Sequence, residues 1–276
     1  NPTLLDDGRV VYTRWEYNDR GQVFMQPLCQ MNPDGTGQAE YYGGNSFFPT
    51  TVTHTRQIPG TRKVMATILG HHTPQHGKLC IIDPEAGRDE NEGVMLVAPL
   101  HRPEAVKVDT YGQFDDQFQH PYPLNEEEFL ISYTPLGYHV GHPMEFGIYW
   151  MTPDEERELL VSDASISCNQ PVLLAERERP FERVNNVDYT KEEGVYYMQN
   201  IYEGNGLKGI EPGTIKKLRI VEPIYRVASI GAAYGFDAGG GGHAFSPVGV
   251  GNASWDVKRI LGTIDVQPDG SAFFKV

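Results

Sequence analysis

The chain has 276 residues, and its 23 Lys and Arg against 37 Asp and Glu give a formal net charge of −14. This acidity argues against nucleic acid as a partner, because binding a phosphate backbone requires a basic face. No stretch approaches the roughly 18 uncharged apolar residues of a membrane-spanning helix, so we expect no membrane span. The 30 Gly and 20 Pro predict many turns and few long helices.

Pairs of short apolar strands recur along the chain. The first strand of each pair begins near Val10, Lys63, Glu128 and Gly194. The second strand stops at a proline, namely Pro33, Pro84, Pro153 and Pro223 in the four pairs. Proline cannot continue a central strand, and Pro-Asp sequences favour turns. The chain therefore repeats one unit, which consists of a strand, a loop, a second strand and a proline turn.

A repeated antiparallel unit is typical of a propeller blade, which is a four-stranded sheet packed against its neighbours. A β-sandwich is the alternative, but its strands follow one another at about 8–12 residues without a long repeat. We therefore predict an all-β fold, a β-propeller with about four blades visible. The segments Gly137–Pro143, Arg177–Asn186 and Phe236–Asn252 are expected to be insertions between strands.

Long motifs spread over the chain are similar to one known family. They include DGRVVYTRWEYNDRGQ (Asp7–Gln22), IPGTRKVMATILGHHTPQHGKLCIIDPEAG (Ile58–Gly87), IYEGNGLKGIEPGTIKKLRIVE (Ile201–Glu222) and WDVKRILGTIDVQPDGSAFF (Trp255–Phe274). In these motifs the chain resembles the hydrazine synthase alpha-subunit family. Most members of that family look like large secreted bacterial proteins of unassigned activity, and the named member is a multihaem enzyme of anaerobic ammonium oxidation.

The resemblance implies a propeller of six blades, in which further blades precede the strand after Asp7, followed by another domain. We accordingly assign residues 1–254 to propeller blades of a partial ring and residues 255–276 to a strand segment leading into the following domain. Four blades leave two faces unpaired, so we expect the ring to be completed by the missing blades or by another chain. The resemblance also implies a periplasmic or extracellular location, the signal sequence having been removed.

The three cysteines decide whether this chain can attach the haem that the family resemblance implies. A covalent c-type haem requires the motif C-x-x-C-H, with two thiols for the vinyl groups and a histidine for the iron. Cys29, Cys80 and Cys168 stand apart, and none begins such a motif. We therefore predict no haem cofactor in this segment, and a c-type haem only beyond residue 276.

The strongest candidate for a metal site is a histidine cluster, Gly70-His71-His72-Thr73-Pro74-Gln75-His76-Gly77. Imidazole binds Zn, Cu and Fe, so His71, His72 and His76 are candidate ligands of a divalent metal. Pro74 and Gly77 indicate a loop rather than a helix. The alternative is an ordered loop between strands whose histidines bond to backbone carbonyls.

Three further residues are candidates for ligand binding. His139 and His142 form an H-x-x-H pair on a glycine-flanked loop, where solvated side chains are the structural alternative. Trp15 follows a strand directly, so it either lines a ligand pocket or packs between blades.

Two functions follow from these features. The first is a propeller scaffold of a secreted protein, which binds a small ligand or a protein partner through its loops. The second is a metal-dependent or redox enzyme with its site on the propeller face near His71, His72 and His76. The residues leave open which of the two applies.

Overall fold

The computed structural model describes residues 1–15, 25–44, 46–71, 73–98, 112, 114–135, 145–224 and 257–276. These residues form sixteen β-strands and a single 3-10 turn, Asn205–Leu207. The predicted all-β fold is therefore confirmed. In this part of the chain no helix has the length and apolar character needed to cross a membrane.

Twelve of the strands form three four-stranded antiparallel sheets, which we call blades 1 to 3. Blade 1 comprises β1 (Thr3–Leu4), β2 (Val10–Thr13), β3 (Leu28–Met31) and β4 (Ala39–Tyr42). Blade 2 comprises β5 (Thr51–Gln57), β6 (Val64–Leu69), β7 (Lys78–Ile82) and β8 (Val94–Ala98). Blade 3 comprises β9 (Gln117–Pro123), β10 (Phe129–Thr134), β11 (Gly147–Met151) and β12 (Arg157–Val161). In each sheet the strands pair in chain order, which is the meander of a propeller blade.

The first three predicted strand pairs are the second and third strands of these blades. In blade 2, for example, Val64 pairs with Ile82 and Ile68 pairs with Lys78. The third strand of each blade is followed by the predicted turn at Pro33, Pro84 and Pro153. In the first of these turns the N–H of Gly35 donates to the carbonyl of Asn32 at 2.9 Å, and the other two are closed in the same way at 3.1 Å.

The blades pack face to face because the central blade is apolar on both sides. Every residue of β6 is buried. Since successive side chains of a strand point to opposite faces, Val64, Ala66 and Ile68 join the core shared with blade 1. Met65 lies on the other face, in the core shared with blade 3, together with Phe129 and other residues of that blade. Stacked layers of this kind define a β-propeller.

The fourth predicted pair is organised differently. Its first strand, β13 (Val195–Met198), pairs with β16 (Ala272–Lys275) rather than with the strand that follows it. The second strand, β14 (Lys217–Ile224), pairs with β15 (Val257–Asp265). Contrary to our prediction, this second strand does not stop at its proline, since Pro223 lies within β14 opposite Lys258. Within the described residues β14 pairs only with β15 and has a free edge. Proline is tolerated at such an edge, because its missing N–H costs no hydrogen bond there. The described residues thus contain three blades, one fewer than the repeat predicts.

The chain divides into two compact units. Residues 1–15 and 25–186 belong to the first unit, and residues 187–276 belong to the second. The predicted boundary between residues 254 and 255 lies outside the described residues and stays a prediction.

A segment without strands, residues 162–186, ends the first unit and touches both blade 3 and blade 1. The N–H of Cys168 donates to the carbonyl of Phe146 at 2.7 Å, just before β11. Farther along, the N–H of Phe181 donates to the carbonyl of Asp6 at 2.8 Å, in the loop after β1. The predicted insertion at Arg177–Asn186 therefore lies within a segment that connects the two outer blades of the unit.

Candidate functional site

The innermost strands of blades 2 and 3 share an irregularity. In β5, Thr53 pairs with Thr67 and Arg56 pairs with Met65, so two residues of β5 lie opposite one residue of β6. Such a β-bulge re-aims the side chains of the bulged strand. The first residue of this bulge is His54, with a φ of 52°.

The same bulge occurs in β9. Gln119 pairs with Ser132 and Tyr122 pairs with Leu130, which leaves two residues of β9 opposite one residue of β10. The first of these two residues is His120, with a φ of 51°. His54 and His120 therefore occupy equivalent positions in neighbouring blades, both in the left-handed backbone region that non-glycine residues seldom adopt.

The two histidines contact each other. Their ring centroids lie 3.9 Å apart with an interplanar angle of 45°. The side chain of His54 is buried, and its Nδ1 has no hydrogen-bond partner among the described residues. A buried polar atom without a partner costs about 1–3 kcal/mol and calls for an explanation, such as a ligand or a bound water.

Two arginines lie on one aromatic ring beside this pair. The guanidinium carbon of Arg56 lies 4.8 Å from the ring centroid of Tyr122, and that of Arg177 lies 5.2 Å from the same centroid. Burial lowers the pKa of Arg56, and the charge of Arg177 acts in the same direction. The two cations therefore repel each other at this ring.

A cavity of about 390 Å³ in the first unit, which we call the inner-strand pocket, is bordered by His54, His120 and Arg56. Its lining comes from residues 1–4, β5, β9 and the segment 162–186, and includes Thr3, His54, Arg56, His120 and Gln170. Gln170 has a φ of 55°, so three non-glycine residues with positive φ border one cavity. Strained residues of this kind cluster at functional sites. None of the described residues that line the pocket is Asp or Glu.

Burial keeps both imidazoles of the pocket neutral at physiological pH. It lowers the pKa of His54 to about 3, and the neighbouring His120 and His76 add to this effect. Burial also lowers the pKa of His120, with a further contribution from the charge of Arg56. Each neutral imidazole offers one N–H donor and one nitrogen acceptor.

The predicted metal cluster is only partly described, since His72 lies outside the described residues. His76 is buried, and its Nδ1 lies 2.7 Å from Oε1 of Gln117. The amide nitrogen of Gln117 donates to three backbone carbonyls, so Oε1 is the acceptor and Nδ1 of His76 carries the proton. Nε2 of His76 is then left with a lone pair and without a partner among the described residues. Burial lowers the pKa of His76 as well.

His71 lies apart from this arrangement and contacts Trp15. The ring centroids of the two residues are 5.5 Å apart in an edge-to-face geometry, and Trp15 is half exposed. A residue predicted to bind metal thus contacts a residue predicted to bind a ligand. The described residues contain no group of three or more metal-ligating side chains, and the metal site stays a prediction. His139 and His142 lie outside the described residues.

Neither His54 nor His120 is among the residues predicted from the sequence to bind a ligand or a metal. A signal exists in the repeat, because His54 precedes Val64 by ten residues and His120 precedes Leu130 by ten residues. Both anchors belong to strands that the repeat had already aligned. Comparing the residues upstream of each strand pair would have revealed the two histidines.

The stacked meanders define this chain as a β-propeller protein. Residues 213–276 match the model of the family described as "Hydrazine synthase alpha subunit middle domain". The whole chain also matches a chain of "Kuenenia stuttgartiensis Hydrazine Synthase", with a TM-score of 0.62 and 18% sequence identity. The match covers 100% of this chain and 38% of that chain. No curated protein matches the sequence. The resemblance to the hydrazine synthase alpha-subunit family is thereby confirmed.

The family resemblance implies a c-type haem as a cofactor, but the thiols of this chain do not fit its covalent attachment. Cys29 and Cys80 form no disulfide and are buried within β3 and β7, where vinyl groups have no access. Burial raises the pKa of Cys80 far above its usual range and keeps it a thiol. Cys168 is free and partly buried, with no second cysteine beside it in the sequence.

Proposed function

We propose that the three blades serve as a binding scaffold in a secreted protein similar to hydrazine synthase alpha subunits, and that a small ligand binds in the inner-strand pocket. The observation that carries this proposal is the pair of equivalent bulges, which bring His54 and His120 to 3.9 Å from each other. A bulge that recurs in two blades with the same residue type and the same strained φ is a designed feature rather than a defect.

The pocket has the properties of a preformed site. Its histidines stand on strands of two packed sheets, and the strand residues on either side of each bulge are paired with the neighbouring strand. A volume of about 390 Å³ falls within the usual range of small-molecule sites. The unpartnered Nδ1 of His54 is a polar group that a ligand would satisfy.

Binding is favoured over catalysis by the groups in the pocket. Its lining contains no cysteine and no carboxylate among the described residues, and imidazoles with lowered pKa values are weak bases. The groups that remain are neutral imidazoles, hydroxyl and amide side chains and a guanidinium, which hold a ligand in place by hydrogen bonds without reacting with it.

Histidine-selective NMR on the full chain tests the proposal. We expect some member of a panel of small anions, cations and neutral molecules to shift the imidazole signals of His54 and His120. The two signals are assigned with His54→Asn and His120→Asn, because asparagine tolerates the left-handed backbone. If no member of the panel moves either signal while the protein is folded, the inner-strand pocket is not a ligand site.

A metal-dependent activity near His76 is the second candidate. The hydrogen bond from Nδ1 of His76 to Gln117 resembles the outer contact that orients a metal-binding histidine. We expect His76→Ala to remove any Zn, Cu or Fe that copurifies with the protein, and His54→Asn to retain it. A metal content that is the same in both variants would contradict this candidate.

We also propose a periplasmic or extracellular location, because the related family looks like secreted bacterial proteins. Fractionation of cells that express the native gene should place the protein outside the cytoplasm. Its recovery with cytoplasmic markers would overturn this assignment.

A further inference from the structure

We infer that the ligand of the inner-strand pocket is a small oxyanion of the phosphate, sulfate or carboxylate class, bound by Arg56 and by the imidazole N–H groups of His54 and His120. This inference rests on the proposed function and names the class of its ligand. Three properties of the described residues lead to it.

The first property is the charge of the pocket. The protein carries a formal charge of −14, yet the described lining of this pocket includes Arg56 and two histidines and no carboxylate. An acidic protein that leaves a cationic group without counterions in one cavity favours anions there over cations. A bound metal cation would meet the charge of Arg56 and find no Asp or Glu in the pocket to offset it.

The second property is the state of Arg56. Within the described residues its guanidinium makes neither an ion pair nor a hydrogen bond, and its contact is with the ring of Tyr122. Arg177 contacts the same ring and brings a second positive charge close to it. Arg56 is half-buried, and its guanidinium carries five N–H donors and no acceptor. An oxyanion would supply acceptors for these donors and offset the repulsion between the two arginines.

The third property is the balance of donors in the pocket. Neutral His54 and His120 each supply one N–H, and Gln170 adds a side-chain amide to the lining. An oxyanion carries acceptors only, so it matches a cavity whose charged group can only donate. The two rings lie 3.9 Å apart, and neighbouring oxygens of one anion lie close enough together for each ring to serve a different oxygen.

Isothermal titration calorimetry of the full chain with inorganic phosphate, sulfate and acetate tests the inference, together with ammonium and glycerol as cationic and neutral probes. We expect at least one of the three anions to bind and to shift the signals of His54 and His120. Arg56→Gln should weaken this binding by about ten- to a hundredfold, the loss expected for a hydrogen bond to a charged group. Arg62→Gln is the matched control, since Arg62 belongs to the same blade and pairs with Glu85 away from the pocket.

The outcomes separate the inference from the proposed function. If ammonium or glycerol shifts the two histidine signals and none of the anions does, the pocket binds a ligand but the oxyanion class is wrong. If no probe shifts the signals, both are wrong. An equal loss of anion binding in Arg56→Gln and Arg62→Gln would show unspecific attraction and overturn the inference.

Discussion

Gly8 lies so close to Phe181 that a Cβ atom at Gly8 would stand 2.0 Å from the carbonyl oxygen of Phe181. Gly8 also has a φ of 80°. The close approach holds the segment 162–186 against blade 1, where the N–H of Phe181 donates to the carbonyl of Asp6. The glycine is therefore required by a contact between residues that are far apart in the sequence.

The first prediction follows from this contact. Gly8→Ala should displace the segment 162–186 and expose it to protease, with a loss of about 1–3 kcal/mol in the free energy of unfolding. Gly35→Ala is the control, because Gly35 has a similar φ of 82° with no atom within 4 Å of an added Cβ. Urea unfolding and limited proteolysis measure the difference. Equal protease sensitivity in both variants would mean that backbone strain alone explains the effect.

The second prediction concerns the layer between blades 2 and 3. Phe129 is fully buried in the core that these blades share. Phe129→Ala should lower the free energy of unfolding by about 3–5 kcal/mol, because it removes a large side chain and leaves a cavity. Phe47→Ala, at a half-exposed phenylalanine of the same unit, should cost much less. Similar losses for both variants in urea unfolding would contradict the stacking of the blades.

The third prediction compares two ion pairs of nearly equal length. Arg157 and Asp116 lie 2.6 Å apart with side-chain exposures of 21% and 33%, whereas Arg62 and Glu85 lie 2.7 Å apart with exposures of 78% and 62%. Asp116 also accepts a hydrogen bond from the hydroxyl of Tyr133. A double-mutant cycle with Asp116→Asn and Arg157→Gln should give a coupling of about 1–2 kcal/mol, because the pair is shielded from water.

The exposed pair serves as the control for this cycle. Arg62→Gln and Glu85→Gln should show a coupling of about 0–0.5 kcal/mol, since solvent screens the interaction and the long side chains lose entropy. A coupling of the same size in both cycles would mean that burial does not strengthen the Arg157–Asp116 pair.

The blades could be predicted from sequence because their signals are local. In blade 2, the apolar strands and the proline turn that identify it lie between Val64 and Pro84, and antiparallel neighbours in chain order need only a loop between them. The partner of β13 is β16, so Val195 pairs with Lys275 across most of the second unit. No local pattern indicates such a pairing, so the repeat predicts another blade at the fourth unit.

The candidate site could not be predicted for a related reason. His54 and His120 are separated by 66 residues and meet only because two bulges lie side by side in packed blades. The clustered histidines at His71 and His76 attract more notice in the sequence. In the structure, however, the first contacts Trp15 and the second bonds to Gln117. Histidines that are close together in the sequence therefore need not form a site, because sites in stacked sheets are built from residues on different sheets.

The fourth prediction is a loss of stability in mild acid that depends on His54. Burial lowers the pKa of His54 from 6.5 to about 3, so the folded protein does not take up the proton that the unfolded chain binds below pH 6.5. The free energy of unfolding should therefore be highest above pH 6.5, as far as His54 contributes to it, and should fall as the pH decreases toward 3. At pH 5 the contribution of this single group is about 2 kcal/mol, since each pH unit below the unfolded pKa is worth about 1.4 kcal/mol.

His54→Asn removes the titrating group and keeps a residue that tolerates the left-handed backbone. Its free energy of unfolding should depend less on pH between 6.5 and 4 than that of the native protein, whatever its stability at pH 7. The pH dependence that remains in this variant would come from His120 and His76, whose pKa values are also lowered. Urea unfolding at a series of pH values measures both curves. Parallel curves for the native protein and His54→Asn would show that His54 accepts a proton in the folded state and that the inner-strand pocket is open to water.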